Sequence, residues 1–162
     1  MLLLPPGVRS GMMVFVIPLL AAMVTVQAVP EVHDGDTLRL SGQSVRLEGI
    51  DAPEMAQLCV TAKRKWRCGD QARGALVQMV AGAPVRCEVS GADRYRRWLA
   101  TCWRGSVNLN QAMVAQGWAV AYRQYSMRYV AVEAQARNGQ RGVWASRFDM
   151  PSDWRAAARN RR

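Results

Sequence analysis

Apolar and polar positions alternate over Val45-Arg46-Leu47-Glu48-Gly49-Ile50, the pattern of a half-buried strand. Ser41-Gly42-Gln43 supplies a turn before it, and Val32 to Leu40 mixes β-formers with the tight-turn signal Asp34-Gly35-Asp36. Helical periodicity replaces alternation from Asp70, a candidate N-cap, through Ala81, where Gly82 and Pro84 stop it. Pro84 to Val89 and Trp98 to Trp103 read as two strands of a hairpin with its turn at Arg94-Tyr95. Asn108 with Gln111 resembles a capping box, and Gly117 ends that short helix. Ser126 caps a third predicted helix, on which Glu133 and Arg137 stand four residues apart. The order is strands, helix, hairpin, helix, helix. Few strands with short helices between them suit a small five-stranded barrel better than a parallel sheet.

Both ends of the chain depart from this pattern. Met12 to Val26 is largely apolar, with Arg9 as the only basic residue before it and Val26-Gln27-Ala28 as a small-residue cleavage signal. The run is short for a bilayer span and holds Pro18. We therefore expect residues 1–28 to be a secretory signal, the alternative being an uncleaved membrane anchor. The folded domain is expected over 29–155, with Phe148 and Trp154 packing back onto it, and 156–162 as a solvated basic tail.

Export makes disulfides the default for Cys59, Cys68, Cys87 and Cys102, although four cysteines allow three pairings. A zinc site competes, but no C-x-x-C pair is present. A regular hairpin turning at Arg94-Tyr95 places Cys87 opposite Cys102, which leaves Cys59 to pair with Cys68. Two local disulfides are the preferred arrangement.

Composition narrows the chemistry. The 162 residues carry 22 Lys+Arg against 12 Asp+Glu, a net charge of +10. Such a balance points to a polyanionic partner: nucleic acid, an acidic polysaccharide or an anionic membrane. Only Lys63 and Lys65 are lysines, leaving 20 arginines, an excess that codon bias explains as well as function. His33 is the single histidine, which excludes His-rich zinc sites and catalysis by two histidines.

Three clusters bring carboxylates, arginines or both together: Asp34 to Thr37, Arg46 to Glu54, and Asp93 to Arg97. Carboxylates from two segments can hold a hard cation, a further carboxylate can deprotonate water, and arginines can clamp a phosphate. Each cluster taken singly also reads as ordinary structure: a turn, a helix start, a hairpin tip. Strand alternation sets Arg46 and Asp51 on opposite faces. They share a site only if Gly49 makes a bulge or the strand ends near Ile50.

The ordered set is more specific than its parts. Asp34-Gly35-Asp36-Thr37, then Val45 to Glu54, then Asp93-Arg94-Tyr95-Arg96-Arg97-Trp98-Leu99-Ala100 follow one another in the chain. With Gly117-Trp118-Ala119, Glu133 to Arg137 and Gly142-Val143-Trp144 behind them, they resemble the thermonuclease (staphylococcal nuclease) family over about residues 30–155. The resemblance implies an α+β fold, a five-stranded OB-type barrel with three helices, and Ca²⁺-dependent cleavage of DNA and RNA. It implies Asp36, Asp51 and the Ala52 carbonyl as metal ligands and Glu54 as general base. Arg46 and Arg97 would hold the phosphate, and Tyr95 and Tyr122 would lie near the nucleotide. One departure is Arg96, where the family usually has Gly. If that turn requires a positive φ, a side chain there costs on the order of 1 kcal/mol and re-aims Arg97, unless Arg96 itself binds phosphate. The rival reading is an OB barrel that binds nucleic acid without cutting it. Nothing in the sequence demands more than a monomer.

Overall fold

The computed structural model describes residues 24–161. Most of the Met12–Val26 run lies outside the described residues. In chain order the elements begin with β1 (Val24–Ala28), β2 (Glu31–Val32), β3 (Thr37–Leu40) and β4 (Gln43–Leu47). Next come β5 (Ile50–Asp51), β6 (Leu58–Val60), β7 (Lys65–Arg67) and α1 (Cys68–Val80). They are followed by β8 (Val85–Ala92), β9 (Trp98–Arg104), β10 (Val107–Asn108) and α2 (Leu109–Ala115). The last are β11 (Val120–Ala121), α3 (Val130–Asn138), a 3₁₀ turn (Gly142–Ala145) and α4 (Pro151–Arg159).

One mixed sheet runs β1-β8-β9-β4-β3-β2, with β10 added beside β9. It curls into a half-barrel of the OB type. Among the described residues its one parallel pair, β4 with β9, aligns Val45 with Trp98 and Arg46 with Leu99. Alternation in β4 turns Val45 and Leu47 into the core and leaves Arg46 and Ser44 on the other face. The concave side is filled by Leu38, Val45, Leu47, Val85, Ala100 and Leu109, and covered by Leu76 of α1 and Met113 of α2.

Several local expectations shift. Helix α1 starts at Cys68, two residues before the expected cap, because the disulfide at Cys68 and the salt bridge from Arg67 to Asp70 draw the first turn into the domain. Asp70 lies in that first turn. Asn108 caps α2 as expected, its side chain accepting from the Gln111 N–H at 2.9 Å. Ser126 does not cap α3: its hydroxyl accepts from the Arg128 N–H, and the helix starts at Val130 beyond buried Tyr129.

Both expected disulfides form, Cys59–Cys68 and Cys87–Cys102. Cys87 stands opposite Cys102, but the hairpin is not regular to its tip. A bulge at Ser90 moves the register by one, and the turn becomes Asp93 to Arg97, closed by the Asp93 N–H to the Arg97 carbonyl. The tip is therefore centred on Tyr95 rather than between Arg94 and Tyr95.

Two elements run across the boundaries expected at the ends. Residues 24–28, inside the segment expected to be removed, form β1, which pairs with β8 from Val24↔Val89 to Ala28↔Val85. The chain beyond Phe148 forms a fourth helix, α4, through residue 159, across the boundary expected at 155. Among the described residues the three expected helices are thus four. Phe148 packs edge-on against Trp144, closing a small core around the Cys59–Cys68 disulfide.

Candidate active site

The site begins at a break in the sheet. Strand β4 ends at Leu47, and Gly49 takes φ +78° before β5 starts at Ile50. That left-handed residue resets the side-chain alternation, so Arg46 and Asp51 reach one another. Arg46 donates to Asp51 Oδ1 at 2.9 Å and to Asp36 Oδ1 at 2.6 Å. Gly49 is held further by space: a Cβ there would stand 3.1 Å from the Tyr129 ring.

Asp36 enters from the turn before β3. An Asx turn forms it, the Asp36 N–H donating to Asp34 Oδ1 at 3.0 Å. Asp36 is 4 % exposed and its carboxylate is hydrogen-bonded at both oxygens: Oδ1 accepts from Arg46 and the Thr37 hydroxyl, Oδ2 from the Ala52 N–H. Asp51 is 1 % exposed. Burial pushes the Asp36 carboxyl up to about 7, with the Arg46 guanidinium pulling the other way. Arg46 is itself held above its ordinary range, the attraction of Asp36 and Asp51 outweighing the cost of its burial.

Glu54 follows in the loop after β5. Its carbonyl accepts from the Gln57 N–H at 2.8 Å, while its own N–H donates to the Gln57 side chain. Buried Gln57 then donates to the Asp149 carbonyl at 2.6 Å, tying the loop to the segment that leads into α4. Beneath this loop α1 comes so close that only glycine fits at position 69: a Cβ there would lie 1.9 Å from the Glu54 carbonyl oxygen.

Arg155 of α4 completes the cluster. It donates to Asp51 Oδ1 and Oδ2, each at 2.9 Å, and to Glu54 Oε1 at 2.9 Å. Though half-buried, its guanidinium is held above its ordinary range by Asp51 and Glu54. Sequence reasoning did not place Arg155 here. Its signal was present: Pro151 at the first helical position with Asp153 in the first turn marks a helix start.

The remaining predicted residues stand beside this cluster rather than in it. Tyr122 is fixed by its N–H to the Gly49 carbonyl, and the Arg46 guanidinium carbon lies 5.9 Å from its ring centre. Arg97 is paired with Asp93, Nε to Oδ2 at 2.8 Å, and lies 5.6 Å from the Tyr95 ring centre. Partial burial raises Asp93, but hydrogen bonds from Arg97 and the Tyr95 N–H win and hold it below the ordinary carboxylate range. Among the described residues no hydrogen bond joins Arg97 to Asp36, Asp51 or Glu54. Exposed Tyr95, with Arg96 and Arg97, lines a groove of about 550 Å³ that continues along Gln43 and Ser44 of β4. Arg96 does adopt a positive φ, +62°, and its carbonyl accepts from the Gln43 side chain at 3.1 Å.

Asp36 and Asp51 are two buried carboxylates from separate segments whose Oδ1 atoms converge on a single cationic group. That donor set fits a hard divalent cation, which takes carboxylate, carbonyl and water oxygens. Among the described residues no group of three or more His, Cys, Asp or Glu is arranged as metal ligands, so a bound ion would draw further oxygens from backbone or solvent.

A curled OB-type sheet with an arginine-bridged carboxylate cluster where β4 breaks off defines an α+β domain of the nuclease-like class. A family model described as staphylococcal nuclease homologue matches residues 44–146. An uncharacterized endonuclease of Haemophilus influenzae is 36 % identical over 135 residues, covering 78 % of this chain and 71 % of that protein. The protein ParB of Escherichia coli is 34 % identical over 152 residues, 83 % of this chain and 81 % of its own. A succinoglycan biosynthesis protein, ExoI, of Rhizobium meliloti is 34 % identical over 117 residues, and the chain spans 70 % of itself but only 61 % of that relative. The chain belongs to the staphylococcal nuclease homologue family.

Proposed function

We propose that this protein is a Ca²⁺-dependent nuclease that hydrolyses phosphodiester bonds of DNA, RNA or both with little sequence preference. One observation carries the reading: Asp36, Asp51, Arg46 and Glu54, from three separate segments, meet through direct or shared ion pairs. Asp36, Asp51 and the Ala52 carbonyl would hold the calcium ion. When bound, the ion supplies Lewis-acid polarisation of a phosphate oxygen.

The chain's own groups account for the rest. Glu54 is the most solvent-accessible carboxylate of the cluster, and accepts the proton of the attacking water. Arg46 holds a non-bridging phosphate oxygen and offsets charge that builds in the transition state. Arg97, in the turn just before β9, binds the phosphate from the groove side. Tyr122 and exposed Tyr95 offer faces for a sugar or base. The substrate is drawn in by the excess of arginine.

Two disulfides suit an oxidising compartment, and among the described residues no helix is long and apolar enough to cross a membrane. We place the protein outside the cytoplasm, acting as a monomer.

The test is cleavage of DNA and RNA by the purified chain with Ca²⁺ or with chelator, beside Glu54→Gln. Calcium-dependent cleavage that the variant loses is the expected result. No cleavage, or full activity in the variant, refutes the reading; salt-sensitive binding without cleavage would instead establish a binding module.

A further inference from the structure

The carboxylate cluster already contains a cation. Asp51 Oδ1 accepts from both Arg46 and Arg155, and Oδ2 accepts from Arg155 alone. Arg155 covers the carboxylate edge bidentately, and on Oδ1 both lone pairs are taken. Asp36 Oδ1 is likewise filled, by Arg46 and the Thr37 hydroxyl, while its Oδ2 accepts from the Ala52 N–H alone. A metal ion therefore cannot reach Asp51 through Oδ1 or along this edge until an arginine withdraws.

The two arginines differ in how they are held. Arg46 projects from a strand inside the sheet and its side chain is 13 % exposed; that of Arg155 is 28 % exposed. Helix α4 has one buried residue, Pro151 at its first turn. Among the described residues, the side-chain hydrogen bonds joining α4 to the rest of the domain all come from Arg155. Its first turn is anchored through Pro151 and the Asp149 carbonyl, while Arg159 at its far end is exposed.

We propose that Arg155 is a tethered cation that closes the carboxylate site and must leave Asp51 before a divalent ion binds, so that α4 sets the affinity of the site for metal. The inference rests on the calcium reading above. Three carboxyl groups face two guanidinium groups in the closed state; removing one leaves a single cation among them, an excess of negative charge that draws a divalent cation. Arg155 is a positioning residue: it keeps Asp51 and Glu54 paired while no ion is present.

The experiment compares the full chain, Arg155→Gln, and Arg159→Gln, whose exposed arginine lies on the same helix outside the cluster. Calcium affinity is measured by isothermal titration calorimetry, and backbone amide exchange over residues 151–159 with and without Ca²⁺. If the closed form holds about nine molecules in ten, Arg155→Gln binds calcium about tenfold tighter, because apparent affinity scales with the competent fraction. Arg159→Gln matches the parent. Exchange over 151–159 rises in metal-free Arg155→Gln and rises in the parent when calcium is added. Equal or weaker calcium binding by Arg155→Gln, or α4 exchange unchanged by the substitution, overturns the proposal. Absence of calcium binding in every variant overturns the calcium reading and the proposal with it, whereas calcium binding that Arg155→Gln does not tighten overturns the proposal alone.

Discussion

Gly69→Ala tests the architecture of the site through one methyl group. Gly69 is the second residue of α1 and buried, and an ideal Cβ there would stand 1.9 Å from the Glu54 carbonyl oxygen and 2.5 Å from its carbon. Real contacts of this kind do not fall below 3.0 Å. The Glu54 carbonyl, or the start of α1, must therefore retreat by about 1 Å, a displacement that for a catalytic group costs on the order of 10²-fold in rate. Neither side yields easily: the carbonyl is bonded to the Gln57 N–H, and α1 is pinned next door by Cys68. Overpacking of this sort destabilises by about 1–3 kcal/mol. Gly74 lies on the same helix, and a methyl group there would meet nothing within 4 Å, so Gly74→Ala should stabilise by about 0.5–1 kcal/mol. Urea unfolding and cleavage rate, measured on both variants, separate the effects. A Gly69→Ala protein as stable and as active as the parent would refute the claim that this close approach positions Glu54.

Three further outcomes follow from the same geometry. Folded Asp36 releases its proton near 7 and unfolded Asp36 near 3.8; between these the folded state binds more protons, so the metal-free protein loses stability as pH rises through the window, by up to about 1.4 kcal/mol per pH unit. Unfolding of Asp36→Asn across that range should lack this slope. Opening Cys87–Cys102, which closes a 15-residue separation, by double substitution to Ala should cost about 3 kcal/mol in urea unfolding. A chain beginning at Val29 lacks β1, whose Val26 and Ala28 pack on the core and whose backbone covers the β8 edge; its urea midpoint should fall below that of a chain beginning at Val24.

The reset of alternation at Gly49 was left open by the sequence and appears only in the fold, whereas the turn at Asp34-Gly35-Asp36 and the strand through Arg46 were legible because turn and strand chemistry is local. Cys87 and Cys102 were legible for the same reason, since a hairpin brings nearby residues together by simple counting. Counting failed at the hairpin tip because a bulge adds a residue that periodicity does not register. The start of α3 was misplaced because burial of Tyr129, a tertiary event, overrode the capping preference of Ser126.

Arg155 marks the boundary between the two kinds of information. In the sequence it is one of 20 arginines near a basic terminus, and composition carries no address. Its role depends on a contact across 104 residues of chain, made possible by the tie from Gln57 to Asp149 and the seat of Pro151. Local chemistry along the chain specified most strands and helices and the disulfide pairs, and the ordered set of motifs, through its resemblance, specified the family and the OB-type fold class. Which arginine sits on which carboxylate was settled by packing, because burial and lone-pair saturation are properties of a folded arrangement and not of any local pattern.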